Sequence, residues 1–231
     1  MQIYYHIQKG EYHENYCEDY LYFGKIGADK ILCAVMDGCS TAMDSYFVST
    51  LVGKILRKIV KERGYREWHE GGNLTADLEA QLKSILKDLM QELKFLKNQL
   101  MLEDKEMLTT LILLLVDKKK DEGIILVIGD GWISINGKNR EFDQDNKPDY
   151  IGFHLFEDFD VWYDKQNQKV IFNTIQDISI ATDGISTFTQ ISKKEDQEVM
   201  DPINYLIIDS EKEERENMLE LKMKILEHQF G

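Results

Sequence analysis

The sequence has little that would hinge, staple or tether it. Only two prolines, Pro148 and Pro202, punctuate the 231 residues. No repeat or low-complexity tract interrupts them either, so nothing marks a linker. One domain spanning residues 1–231 is the expectation, and 43% hydrophobic residues suffice for its core without disulfides or a structural metal. Cysteines number three, Cys17, Cys33 and Cys39. That odd count suits a reducing compartment and makes the cytoplasm the expected address. The sixth residues after these cysteines are Phe23, Cys39 and Ser45, so the Cys-x5-Arg loop of a cysteine phosphatase is excluded. Long apolar runs are missing too. Leu111 to Val116 is the longest aliphatic stretch, far short of the roughly 18 residues a spanning helix needs. The N-terminus lacks the basic-then-apolar pattern of a signal segment. Positive charge is also scarce: 28 basic residues face 42 acidic ones, for a formal net charge of −14. Phosphate backbones and anionic lipid would be repelled at long range, so neither nucleic acid nor membrane is an expected partner.

What is present reads as strands, two long helices, more strands and a terminal helix. IYYHI near Ile3, Asp19 to Ile26 and Ile31 to Met36 have the aromatic and β-branched character of strands. Phe47, Leu51, Ile55 and Ile59, widened by Val48, Val52, Leu56 and Val60, predict a buried helix that stops at Gly64. After the loop HEGGN, Leu78, Leu82, Ile85, Leu89, Leu93, Leu96 and Leu100 form the apolar stripe of a second amphipathic helix. From Met107 the pattern turns to short strands: MLTTLILLLVD, GIILVIGDGWISINGK, FHLFEDF, VWYD, KVIFNT and DISIATDG. The tail returns to helix, with Met218, Leu221, Ile225 and Phe230 on its apolar side. The expected class is α+β, with helices covering the outer faces of packed sheets.

Chemistry is suggested where an aspartate directly ends an apolar strand, because it must emerge at the core's edge into a cleft or turn. AVMDG at Asp37, VIGDG at Asp130 and IATDG at Asp183 repeat that arrangement, each with a following glycine, and Glu18-Asp19 opens an earlier strand. Aspartates on neighbouring strand ends, with glycines that let backbone carbonyls approach, form a hard oxygen set suited to Mg²⁺ or Mn²⁺. Each has a plainer reading. Asp130-Gly131 also reads as a type I′ hairpin turn. Asp37 or Ser40 also reads as an N-cap of the following helix, and Glu18-Asp19 as solvated strand-edge charge. His13 and Cys17, four residues apart, lack the second pair a zinc site needs. His6 reads as a packed or edge histidine.

Taken together and in order, these motifs resemble the metal-dependent protein phosphatase 2C family. The likeness runs through Glu18-Asp19, strand-Asp37-Gly38-x-Ser40 before a long helix, Thr109-Thr110-Leu111, Gly129-Asp130-Gly131 in a hairpin, and Ala181-Thr182-Asp183-Gly184-Ile185. It is nearest a bacterial branch that opens with a histidine, a cysteine and an acidic pair, here His13, Cys17, Glu18 and Asp19. That branch also follows GDG with an Asn-Gly turn and an acidic segment, here Asp143, Asp145, Asn146, Pro148, Asp149 and Tyr150. The fold implied is a four-layer αββα sandwich, two packed antiparallel sheets flanked by helices on both outer faces.

The activity implied is metal-dependent hydrolysis of phosphoserine or phosphothreonine in a protein. The implied partners are a phosphoprotein substrate and a cognate serine/threonine kinase. By this likeness Asp37 and Asp183 are the catalytic pair, with Asp37 bridging two Mn²⁺ or Mg²⁺ ions and Asp183 holding one. Gly38 adds its carbonyl, Glu18 and Asp19 act through water, and Asp130 helps to bind a third ion. The family's phosphate-gripping arginine falls at Glu14, which leaves His13 beside it as the phosphate-binding candidate, and Cys39 occupies the slot of a histidine general acid. The family's final strand, with one more metal-binding aspartate, is expected to be lacking from this stretch. These departures motivate the alternative of a catalytically weak binding or regulatory module.

Overall fold

The computed structural model describes residues 1–10, 16–69, 77–145, 147–188, 201–208 and 218–230. Two antiparallel sheets carry the fold. The larger has the order β1(Asp19–Ile26), β2(Lys30–Asp37), β3(Leu111–Asp117), β4(Glu122–Ile128) and β7(Lys169–Asn173), and the smaller has β6(Lys138–Phe142), β5(Gly131–Ile135) and β8(Ile178–Ala181). Every residue of β3 is buried. Its Leu111, Leu113 and Leu115 join a core with the helices, while Ile112, Leu114 and Val116 point into the layer between the sheets. A strand covered on both faces has no need to alternate polar and apolar, which is why LILLLV is continuous. The inter-sheet layer is completed by Ile125 and Val127 of β4 and by Ile133, Ile135, Ile178 and Ile180 from the small sheet.

Helices α1(Ser45–His69) and α2(Leu78–Leu100) cover the outer face of the large sheet, with Val52, Leu56, Leu82, Leu86, Leu89 and Leu93 fully buried. Asp77 caps α2 by accepting from the Ala80 amide at 2.6 Å. On the outer side of the small sheet lie the π-helical turn Asn204–Ile208 and α4(Met218–Phe230), joined through Phe188, Tyr205, Leu206, Met223 and Leu226. The layers are thus helix, sheet, sheet, helix, the sandwich expected from the sequence.

Several local expectations are corrected. Ile3–Ile7 forms no strand. α1 does not stop at Gly64 but continues to His69, because the buried stripe before it outweighs the roughly 1 kcal/mol a glycine costs inside a helix. FHLFEDF and VWYD are not strands: they form a 3₁₀ turn, Ile151–His154, and the short α3(Phe159–Asp164), capped by Asp158 through the Val161 amide. On α4 the packed face is Lys222, Met223 and Leu226, while Leu221 and Ile225 are exposed. The HEGGN loop and the Phe230 side chain lie outside the described residues.

Candidate metal centre

The site is built at the ends of strands from both sheets. Asp19 starts β1 and Asp37 ends β2, and the two are direct partners in the antiparallel register. Beyond Asp37 the pairing is prolonged by the Gly38 amide donating to the Glu18 carbonyl at 3.1 Å and by a bridge from Gly38 to Thr109. The threonine pair before β3 fixes the Asp37 backbone. Thr109 Oγ1 and the Thr110 amide both donate to the Asp37 carbonyl at 2.8 Å, and the Asp37 amide donates to Thr110 Oγ1 at 3.2 Å. A Cβ at position 38 would collide with the Ser45 carbonyl, so only glycine lets the chain pass α1 here. Glu18 accepts a hydrogen bond from the Ser45 hydroxyl in the first turn of α1. α1 begins at Ser45, so neither Asp37 nor Ser40 caps it.

Asp130 lies where the chain leaves the large sheet and enters the small one. β4 pairs with β3 and β7, and β5 pairs with β6 and β8, so Gly129-Asp130-Gly131 is not the hairpin turn that Asp-Gly suggested. The hairpin of this region is the next one, Asn136-Gly137 between β5 and β6, with both residues at positive φ. Gly129 and Gly131 have φ of +93° and +139°. A Cβ on Gly129 would lie 2.6 Å from the Asp149 carbonyl oxygen, and one on Gly131 would lie 2.8 Å from that of Ala181. The crossing is therefore tight, and it holds Asp130 at the junction of the sheets. Asp183 follows β8 and opens a 3₁₀ turn, Asp183–Ser186, pinned by a hydrogen bond from the Trp132 indole to Ser186 Oγ at 2.8 Å. Sequence reading missed this tie. The signal was faint, a tryptophan directly after GDG on a strand whose next residue, Ile133, faces the core.

These aspartates act on one another. Burial pushes the Asp37 carboxyl well above the usual carboxylate range, and nearby Asp19, Asp183 and Asp130 push it further. The negative charge of Asp183 opposes ionisation of Asp37, as do those of Asp19 and Asp130. Burial and the charge of Asp183 raise Asp130 to about 6. Among the described residues no lysine or arginine forms an ion pair with Asp37, Asp130 or Asp183, and no three His, Cys, Asp or Glu side chains are spaced as a finished metal shell. The donor set is nonetheless all oxygen and all acidic, and its mutual repulsion is what a hard dication offsets. Cys39 lies beside this cluster. Burial works to raise its thiol, but hydrogen bonds from Thr41 and Tyr150 outweigh that and lower it.

The structure therefore brings Asp19, Asp37, Asp130 and Asp183 together and places Glu18 and Gly38 against them. His13 and Glu14 lie outside the described residues. A sandwich of two antiparallel sheets between helices, with acidic side chains gathered at strand ends of both, is the architecture of the metal-dependent phosphatases. The chain belongs to the protein phosphatase 2C family, whose profile matches residues 4–223.

Two solved structures agree on the fold. A point mutant of a bacterial serine phosphatase is similar over 96% of this chain and 87% of its own, with a TM-score of 0.59 and 17% identity. The phosphatase domain of SpoIIE from Bacillus subtilis, with a fragment of its regulatory domain, is similar over 91% of this chain at a TM-score of 0.51 and 17% identity. This chain spans about half, 52%, of that structure. The catalytic domain of the serine/threonine phosphatase PstP, in complex with two manganese ions, has a TM-score of 0.49 at 15% identity and covers 78% of this chain and 76% of its own. No curated protein matches the sequence.

Proposed function

We propose that this chain, as one domain over residues 1–231, is a Mn²⁺- or Mg²⁺-dependent protein phosphatase acting on phosphoserine or phosphothreonine. The observation that carries the reading is the convergence of Asp19, Asp37, Asp130 and Asp183 from both sheets, where each raises the cost of charging its neighbours. Asp37 and Asp183, with the Gly38 carbonyl, would hold two ions. Glu18 and Asp19 would orient water around them, and Asp130 would help with a third. When bound, such ions make water a nucleophile at neutral pH and offset charge on the departing alkoxide. The chain's own contribution is positional. Thr109 and Thr110 fix the Asp37 backbone, Trp132 fixes the turn that bears Asp183, and the two glycines hold Asp130. We assign phosphate contact to His13, which adjoins Glu14 in the slot where the family carries its arginine.

Turnover of p-nitrophenyl phosphate and of a phosphothreonine peptide, each with Mn²⁺, Mg²⁺ or chelator, tests this. Hydrolysis with either metal and none with chelator is expected. Turnover indifferent to metal would overturn the reading, and no turnover with any metal would favour a binding module.

A further inference from the structure

The 3₁₀ turn Ile151–His154 sets aromatic side chains on the surface beside the carboxylates. Ile151 and Leu155 are buried, whereas Phe153 and Phe156 are 56% and 58% exposed. Between Phe153 and the centre stands Tyr150. It lies within electrostatic reach of Cys39, two residues along from Asp37, and of Asp130 and Asp37 themselves, and its ring lies 5.5 Å from that of Phe153, nearly perpendicular. The Asp149 carbonyl packs against Gly129, next to Asp130.

The turn is held from several sides. The Ile151 amide donates to the Thr109 carbonyl at 3.1 Å, tying it to the same threonine that fixes Asp37. His154 bridges Asp149 at 2.7 Å and Glu157 at 2.8 Å and stacks on Trp162. At Gly152 the backbone presses so closely on the Met107 carbonyl that no Cβ would fit. Scattered exposed apolar residues need no explanation. Phe156 already carries the Lys94 ammonium, 4.8 Å from its ring centroid, whereas Phe153, on a braced turn directly after a tyrosine that faces the centre, is a preorganised shelf.

The occupant follows from reach and charge. An extended chain advances about 3.3–3.6 Å per residue, so the tyrosine ring and the step to Phe153 together span about two to three residues of a peptide. The segment that leads into the turn carries exposed Asp143 and Asp145 against exposed Lys147, and the chain as a whole has a net charge of −14. A basic segment is drawn to such a surface and an acidic one is repelled. Resting on the phosphatase reading, we propose that Phe153, with Tyr150 beside it, receives an apolar side chain of a basic phosphopeptide, about two to three residues from the phosphorylated one.

The test is binding, independent of turnover. Fluorescein-labelled, lysine-bearing peptides carry a non-hydrolysable phosphonate analogue of phosphothreonine. Leucine or serine occupies the second and third positions on each side of it, and anisotropy is read with Mn²⁺ present. The leucine peptide should bind about tenfold more tightly to the parent protein. Phe153→Ser should bring the two peptides within about twofold of each other. Phe95→Ser, a change at an equally exposed phenylalanine on α2, should keep the preference. Replacing the peptide lysines by glutamate should weaken binding at low salt. Equal affinities in the parent, a preference that survives Phe153→Ser, or tighter binding of the acidic peptide would each overturn the proposal. Turnover of p-nitrophenyl phosphate, followed in parallel, judges the phosphatase reading separately.

Discussion

At the scale of the residue, position in the pairing decides which carboxylate matters most. Asp37 faces Asp19 across the β1–β2 register and feels the charges of Asp183 and Asp130, so the other three all act on it. Asp37→Asn should therefore abolish measurable Mn²⁺ binding in calorimetry, while Asp183→Asn should weaken it by about tenfold or more, the loss of one anionic oxygen donor. Equal affinities for Asp37→Asn and parent would make the cluster a set of turn residues. His154 gives a second prediction, in pH. Burial works to lower its pKa, but its hydrogen bonds to Asp149 and Glu157 overcome this and raise it above the ordinary imidazole value. A raised folded pKa adds stability that is fully present below the unfolded value of about 6.5 and is lost as pH rises through the folded one. In urea, the parent should exceed His154→Gln by about 1–2 kcal/mol at pH 5.5 and by clearly less at pH 8.5. A gap independent of pH would show that the imidazole is never charged there.

At the scale of the element, the crossing between sheets is more demanding than an ordinary turn. Gly137 also has positive φ, yet a Cβ there would meet nothing within 4 Å. Gly137→Ala should cost only the left-handed backbone penalty of about 1–2 kcal/mol. Gly131→Ala adds a collision with the Ala181 carbonyl and with Ile112, and should cost about 3 kcal/mol or more in chemical denaturation. Equal costs would mean that the crossing relaxes freely. These contrasts also show what the sequence made legible. β1 and β2 were readable because their aromatic and apolar runs end in turn residues, and α2 because its leucines keep one face over its whole length. The Asp-Gly pair at 130–131 misled because a hairpin signal is local, whereas which strand β5 pairs with is decided by Trp132 to Ile135 meeting β8 some 45 residues later. VWYD misled because its Trp and Tyr are buried on a short capped helix, where aromatics pack as well as they do on a strand. On α4 the buried residues include Lys222, whose amine donates to the Tyr205 carbonyl, so polarity was a poor guide to the packed face.

At the scale of the whole molecule, the order of the acidic motifs was visible in the chain, but their meeting was not, since it depends on two sheets closing face to face. The net charge of −14 acts at this scale as well. Metal-free protein should gain about 2–4 °C in melting temperature between 20 and 200 mM NaCl as screening relieves self-repulsion. Millimolar Mn²⁺ at fixed ionic strength should raise it further through binding to the folded state alone. If Mn²⁺ adds nothing at 200 mM NaCl, the cation acts only as a screen. The crossing at Gly129-Asp130-Gly131 carries the chain from one sheet to the other. Asp19 and Asp37 ride on one sheet and Asp183 on the other, so the apolar layer between the sheets serves as a spacer whose thickness sets the gap between opposing carboxylates. Close-packed interiors compress little, and that gap is accordingly held stiff. Trimming Ile112 or Ile133 would loosen the spacer from within, and the size of ion the centre accepts becomes a property of hydrocarbon as much as of oxygen.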